Sequence, residues 1–220
     1  MVYLISTSLV NERRTKPMND KFFDLKKEKQ DRIINAAMKV FALNGYRNAS
    51  TDDIVKEAGI SKGLLFHYFE SKIGVYTFLF DYSARYTTLE LKSNVDSDLT
   101  DIFEIMRQIE FSKLLTIRSH PYMQMFLKSC MKEDIFEALA AIEEKRTALS
   151  ELYDSIYMQI DPSNLVEDAD KDMLLGIIKF TTEGLMNRYF REECYQSSEF
   201  YEDVTAYIGM LEKISKRTNL

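Results

Sequence analysis

Apolar side chains recur along this chain at the spacing of buried helical faces, and nowhere with the alternation of a half-buried strand. Between Asp31 and Asn44 they fall at Ile33, Ile34, Ala37, Val40 and Phe41, one face of a helix. Gly45 follows, where a helix commonly stops. Ser50 and Thr51 cap a second helix, whose first turn places Asp52 and Asp53 at the positive end of the helix dipole. Ala58 and Gly59 close it, Ser61 caps a third helix from Lys62 to Phe69, and Ser71 caps a fourth over 72–93. The pattern then predicts helices over 98–118, 121–131, 133–159, 167–193 and 197–217, with breaks at His120-Pro121 and Asp161-Pro162-Ser163. The predicted fold class is all-α.

Two short helices joined by a three-residue turn with a glycine describe a helix-turn-helix. Gly59 supplies the positive φ the turn needs, and Ile54, Ala58, Ile60 and Leu65 supply the apolar contact between the two helices. In such a motif the second helix enters the DNA major groove with its N-terminal residues against base edges. Lys62 is then placed to donate to guanine O6/N7 or to a phosphate. Gly63 allows close backbone approach, and Leu64 can touch a thymine methyl.

The same stretch resembles the DNA-binding domain of the TetR family of bacterial transcriptional regulators. Phe41, Gly45, Tyr46, Thr51, Ile54, Ala58, Gly59, Ile60, Ser61, Gly63, Leu65, Phe66, Tyr68, Phe69, Ser71 and Lys72 stand in register with the family pattern. Three positions depart from it. Val55 stands where alanine is usual, Leu64 where threonine is common, and Gly74 where glutamate is usual. The resemblance implies that Thr51, His67, Tyr68 and Lys72 hold backbone phosphates. It also implies a C-terminal domain with an effector pocket, and a homodimer built by the last two helices.

Charge sharpens the division of the chain. Residues 1–80 hold 13 Lys/Arg against 9 Asp/Glu, a net +4, whereas residues 81–220 hold 16 against 26, a net −10. The reading is residues 1–24 as a disordered tail or a basic arm, 25–75 as the helix-turn-helix domain, and 76–220 as the effector-binding and dimerisation domain. The junction falls inside the long fourth helix. Within the first part, residues 1–17 read as a frayed tail or as sequence upstream of an initiator at Met18; Lys21 to Lys29 carry the charge for a phosphate-tracking arm. No apolar run reaches the length of a membrane span, and the apolar opening has no basic segment before it, so a cytoplasmic protein with no membrane partner is expected. Cys130 and Cys194 form no metal-ligand or redox motif and read as inert thiols.

The C-terminal domain is rich in soft and aromatic side chains. Phe103, Met106, Phe111, Met123, Phe126, Tyr153, Tyr157 and Phe180 recur on apolar faces, either as plain core or as the lining of a pocket for a small, largely apolar effector. Glu183, within an otherwise apolar run, is a candidate polar handle, as is Arg118. An all-helical metalloenzyme would need paired Glu-x-x-His ligands, and His67 and His120 do not provide them. Catalytic residues, metal and cofactors are therefore expected to be none. The function expected is a sequence-specific transcriptional regulator that binds double-stranded DNA, a repressor by resemblance, released from a near-palindromic operator by its effector. The alternative is a helical protein-interaction adaptor that keeps the head but has lost specific DNA binding.

Overall fold

A computed structural model describes residues 20–191 and 197–217, and no β-strand forms among them. Ten α-helices follow in order. They are α1 (Asp20–Phe23), α2 (Lys27–Asn48), α3 (Thr51–Ala58), α4 (Lys62–Phe69), α5 (Lys72–Asn94), α6 (Ile102–Ser119), α7 (Met123–Met131), α8 (Phe136–Met158), α9 (Lys171–Arg191) and α10 (Ser197–Ser215). The fold is all-α, a helix-turn-helix head continued by a long helix into a helical C-terminal part.

Residues through Tyr86 form one compact unit together with His120–Thr147, and Thr87–Ser119 form the other with Ala148 onward. The helices α5 and α8 each run from one unit into the other. Compactness therefore follows a different line from a cut at residue 75, because α7 and the first half of α8 pack with the head.

In the first unit, Ile33, Ile34, Ala37, Met38 and Phe41 of α2 are buried with Ile54 and Ala58 of α3, Leu65 of α4 and Val75, Tyr76 and Leu79 of α5. Gly45, at φ 68° and ψ 174°, breaks the helical path of α2 where the sequence predicts a stop. Helix α1 was not anticipated. Its Phe22 is buried, with ring centroids 5.1 Å from Phe69 and 5.2 Å from Phe78. Residues 20–24 thus belong to the head rather than to an arm, since an aromatic anchor of this size removes a large apolar surface from water. The tail expected over 1–17 lies outside the described residues.

The second unit has its own core, in which Phe103, Met106 and Ile109 of α6 pack with Ile156, Leu174, Ile178, Leu185, Phe200, Val204 and Ile208. Asp101 Oδ1 accepts the Phe103 and Glu104 N–H groups, both at 3.0 Å, and so starts α6 later than the predicted residue 98. After the short 3₁₀ turn Pro162–Asn164, the Val166 N–H donates to the Ser215 carbonyl at 2.9 Å, tying the connection before α9 to the end of α10.

Candidate nucleic-acid interface

The head presents α4 by local capping. Ser50 Oγ accepts the Asp53 N–H at 3.0 Å to start α3. Gly59 ends that helix in the left-handed region at φ 60°, ψ 44°, and Ser61 Oγ accepts the Leu64 N–H at 3.2 Å to start α4. Leu65 and Phe69, four residues apart, turn into the core. The opposite face is left outward: Lys62, Gly63 and His67 are exposed, and Leu64 and Tyr68 are half-buried. A Cβ added at Gly63 would meet nothing within 4 Å, so no packing inside the protein demands glycine there. The space in front of that backbone is open to another molecule.

Lys62 Nζ lies 2.9 Å from Asp52 Oδ1 in a solvent-exposed pair. Such pairs contribute about 0–1 kcal/mol, so the lysine is pointed without being locked. Thr51 is half-buried at the first position of α3, beside its capping neighbour Ser50. The Tyr68 ring stands edge-on to Phe22 at 5.6 Å, with His67 against it at 5.2 Å. Lys72 Nζ sits 4.5 Å above the Tyr46 ring and donates to the Arg47 carbonyl at 3.3 Å. Burial lowers the pKa of Lys72, while Glu133 and Glu137 pull it back up. Tyr46 belongs to the sequence motif without an evident role there, and Glu133 and Glu137 carry no signal in the sequence. Asp52 is legible as a first-turn acid of α3, though not as the partner of Lys62. The two glutamates were not, since they act across 87 and 91 positions of sequence.

The effector candidates do not come together as one set. Phe103 and Met106 are fully buried in the second unit, with Tyr153 and Tyr157 packed against the same core. The two tyrosine rings lie 6.2 Å apart, and Lys179 Nζ is 3.9 Å from the Tyr157 ring centroid. Beside them Lys113 pairs with the buried Glu110 at 2.7 Å. Burial pulls the Lys113 ammonium down, yet Glu110 and the two tyrosines hold it above the ordinary lysine range. Met123 and Phe126 belong to the first unit, where Phe126 meets Tyr76 at 5.7 Å and Phe41 at 6.2 Å. They are core of the head unit. Phe111 is exposed against Tyr201, Glu183 is half-buried on α9, and Phe180 is 77% exposed. As a pocket wall Phe180 is a correction, for its ring points to solvent in this chain. An open cleft of about 310 Å³, lined by Arg32, Asn35, Lys39, Glu57 and Tyr122 among others, contains none of these candidates.

Among the described residues no three His, Cys, Asp or Glu side chains gather to hold a metal, and no helix is long and apolar enough to cross a membrane. Burial pushes the Cys130 thiol up to about 12, which keeps it protonated and unreactive. Cys194 lies outside the described residues.

A capped, outward-facing second helix on a buried helix-turn-helix frame defines the head of a DNA-binding regulator. Comparison with known proteins carries this further. Residues 33–76 match the bacterial regulatory proteins of the tetR family. Over 77 residues, 34% of this chain, identity is 39% to the uncharacterized HTH-type transcriptional regulator YuxN of Bacillus subtilis (strain 168), a match that spans only 26% of that protein. Over 193 residues, 84% of this chain and 99% of the relative, identity is 23% to IcaR of Staphylococcus aureus (strain Newman), the HTH-type negative transcriptional regulator of the biofilm operon icaADBC. A TetR family transcriptional regulator from Chloroflexus aurantiacus J-10-FL shares the fold, with a TM-score of 0.63 at 22% identity over 90% of this chain and 98% of that one. The likeness to the tetR family of bacterial regulatory proteins is thus carried by the helix-turn-helix head, residues 33–76, and the fold likeness extends over most of the chain. The head is accordingly that of a DNA-binding transcriptional regulator.

Proposed function

We propose that this protein is a sequence-specific transcriptional repressor that binds a near-palindromic operator as a homodimer and leaves it when a small, largely apolar effector binds the C-terminal part. The observation that carries the reading is the outward edge of α4, where Lys62 and Gly63 are exposed and Leu64 half-buried on a capped frame. Lys62 and Leu64 read bases, while Thr51, His67, Tyr68 and Lys72 hold phosphates and set the register.

Dimerisation is supported by a second surface. Met173, Ile177 and Phe180 are exposed along α9, spaced by four and three residues, and Tyr207, Met210 and Ile214 are exposed along α10. These spacings put each set on one stripe. A Cβ at Gly184 or Gly209 would meet nothing within 4 Å, so both positions admit close approach by a second copy. Six large apolar side chains are thus left to water on two helices that pack together, a surface a second copy could cover.

Repression is supported by the negative regulator IcaR, which matches nearly along its full length. An effector site at Tyr153 and Tyr157 is supported by their aromatic faces beside the ion pair of Lys113 with the buried Glu110. An operator-binding regulator works where the chromosome is, which places it in the cytoplasm. Selection of bound sequences from a random duplex library tests the reading. Enrichment of a near-palindrome whose half-sites lie about one DNA turn apart is expected. Failure of the folded, dimeric protein to enrich any sequence favours the adaptor instead.

A further inference from the structure

Gly45 turns the chain out of the α2 helical path at φ 68°, which takes the next N–H group, that of Tyr46, away from the helical ladder. A buried N–H needs a partner. Glu133 Oε2 accepts it at 3.2 Å, and Glu137 Oε2 accepts the Tyr46 hydroxyl at 3.4 Å. The other oxygen of Glu133 accepts the N–H groups of Asp134 at 3.1 Å and Ile135 at 3.0 Å, just ahead of α8. One carboxylate therefore brackets two segments. Between them the Tyr46 ring is fixed on one side by Tyr76 at 5.0 Å and Phe41 at 6.2 Å, and it carries Lys72 Nζ at 4.5 Å.

We propose that Glu133, supported by Glu137, is a positioning residue for DNA binding, holding Tyr46 as the shelf on which Lys72 is presented to a backbone phosphate. A lysine side chain has several soft torsions, and ordering it in advance removes an entropic cost from binding. The carboxylate does this without touching DNA. The inference rests on the DNA-binding reading above.

The test uses the full chain and a 24-base-pair duplex of random sequence, because phosphate contacts are indifferent to sequence. Affinity is measured against salt for wild type, Glu133→Ala, Glu133→Gln, Lys72→Met and the Glu133→Ala/Lys72→Met double variant, each checked for folding by thermal denaturation. Glu133→Ala is expected to weaken binding about tenfold, the scale of one charge-assisted hydrogen bond. It also flattens the slope of log K against log salt by about 0.9, one phosphate contact. Glu133→Gln keeps an oxygen acceptor for the Tyr46 N–H and retains the wild-type slope. In the Lys72→Met background Glu133→Ala costs nothing more, which a merely structural role would not produce. An unchanged slope in Glu133→Ala, or an equal cost in both backgrounds, overturns the proposal while leaving DNA binding intact. A wild type that binds no duplex at all overturns both.

Discussion

Lys62 and Lys72 carry the same charge but are held under different constraints. Lys62 is exposed at the tip of α4 and pairs with an exposed carboxylate, whereas Lys72 is half-buried on an aromatic shelf. Lys62→Ala is accordingly expected to lower affinity for the cognate half-site by about 1–3 kcal/mol while leaving random duplex nearly unaffected. Lys72→Met should weaken both alike. Competition titrations with cognate and random DNA separate the two. A second residue-scale prediction concerns His120, whose Nδ1 lies 2.7 Å from Asn35 Oδ1 and whose Nε2 lies 2.8 Å from the Tyr82 hydroxyl. Burial pushes its pKa down to about 4 from an ordinary 6.5; Asp31 opposes that shift and Lys27 adds to it. The folded state keeps this ring neutral, so on acidification the unfolded chain takes up the proton first. Stability owed to this group is complete above pH 6.5 and is lost as pH falls toward 4, by about 3 kcal/mol at most. Thermal denaturation across that range should show the decline, and His120→Gln should reduce it. The outward residues of α4 were legible because caps and glycines are local signals. The partners of Tyr46 and His120 were not, because their contacts close spans of 38 to 91 residues between separate helices.

At the scale of elements, the sharpest local feature is the turn between α4 and α5. Glu70 adopts φ 63°, ψ −42°, and the Ser71 N–H donates to the Phe69 carbonyl at 2.6 Å, a strained γ-turn. This fold brings the Phe69 carbonyl so close to α5 that a Cβ at Gly74 would collide with it. The sequence showed Gly74 as a departure from the family pattern, and the turn supplies the physical reason. Glu70→Gly should raise stability by about 1 kcal/mol or more, since only the left-handed strain is relieved. Gly74→Ala should lower it, because the obstacle is backbone that must move. Denaturant midpoints of the two variants give the signs directly. Most helix boundaries were read within a few residues, and the differences have visible causes. Asp101 delays α6, and Asp170 Oδ1 accepts the Met173 N–H at 2.8 Å to start α9 at Lys171 rather than 167. Helix α1 was missed because four residues carry no periodicity; its anchor Phe22 is recognisable only through the rings it meets.

For the whole molecule, sequence periodicity says which faces are apolar but not which of them another helix covers. That is why Phe180, Met123 and Phe126 were grouped with Phe103 and Tyr157, although the fold sends them to a solvent-facing stripe and to the head unit. The exposed stripes on α9 and α10 yield a prediction at this scale. Phe180→Glu should shift the protein from dimer to monomer in sedimentation, with its thermal midpoint little changed because the side chain is already exposed. Loss of the paired head should lower operator affinity by about 10²-fold or more. The central claim is that the head of this protein recognises a DNA sequence, and one measurement reaches it most directly: wild-type affinity for the selected operator and for a scrambled duplex, each titrated across salt concentration. The account predicts a linear fall of log K with log salt on both duplexes, with the operator bound about 10³-fold or more tighter throughout. Equal affinity for the two duplexes, or binding indifferent to salt, would contradict it.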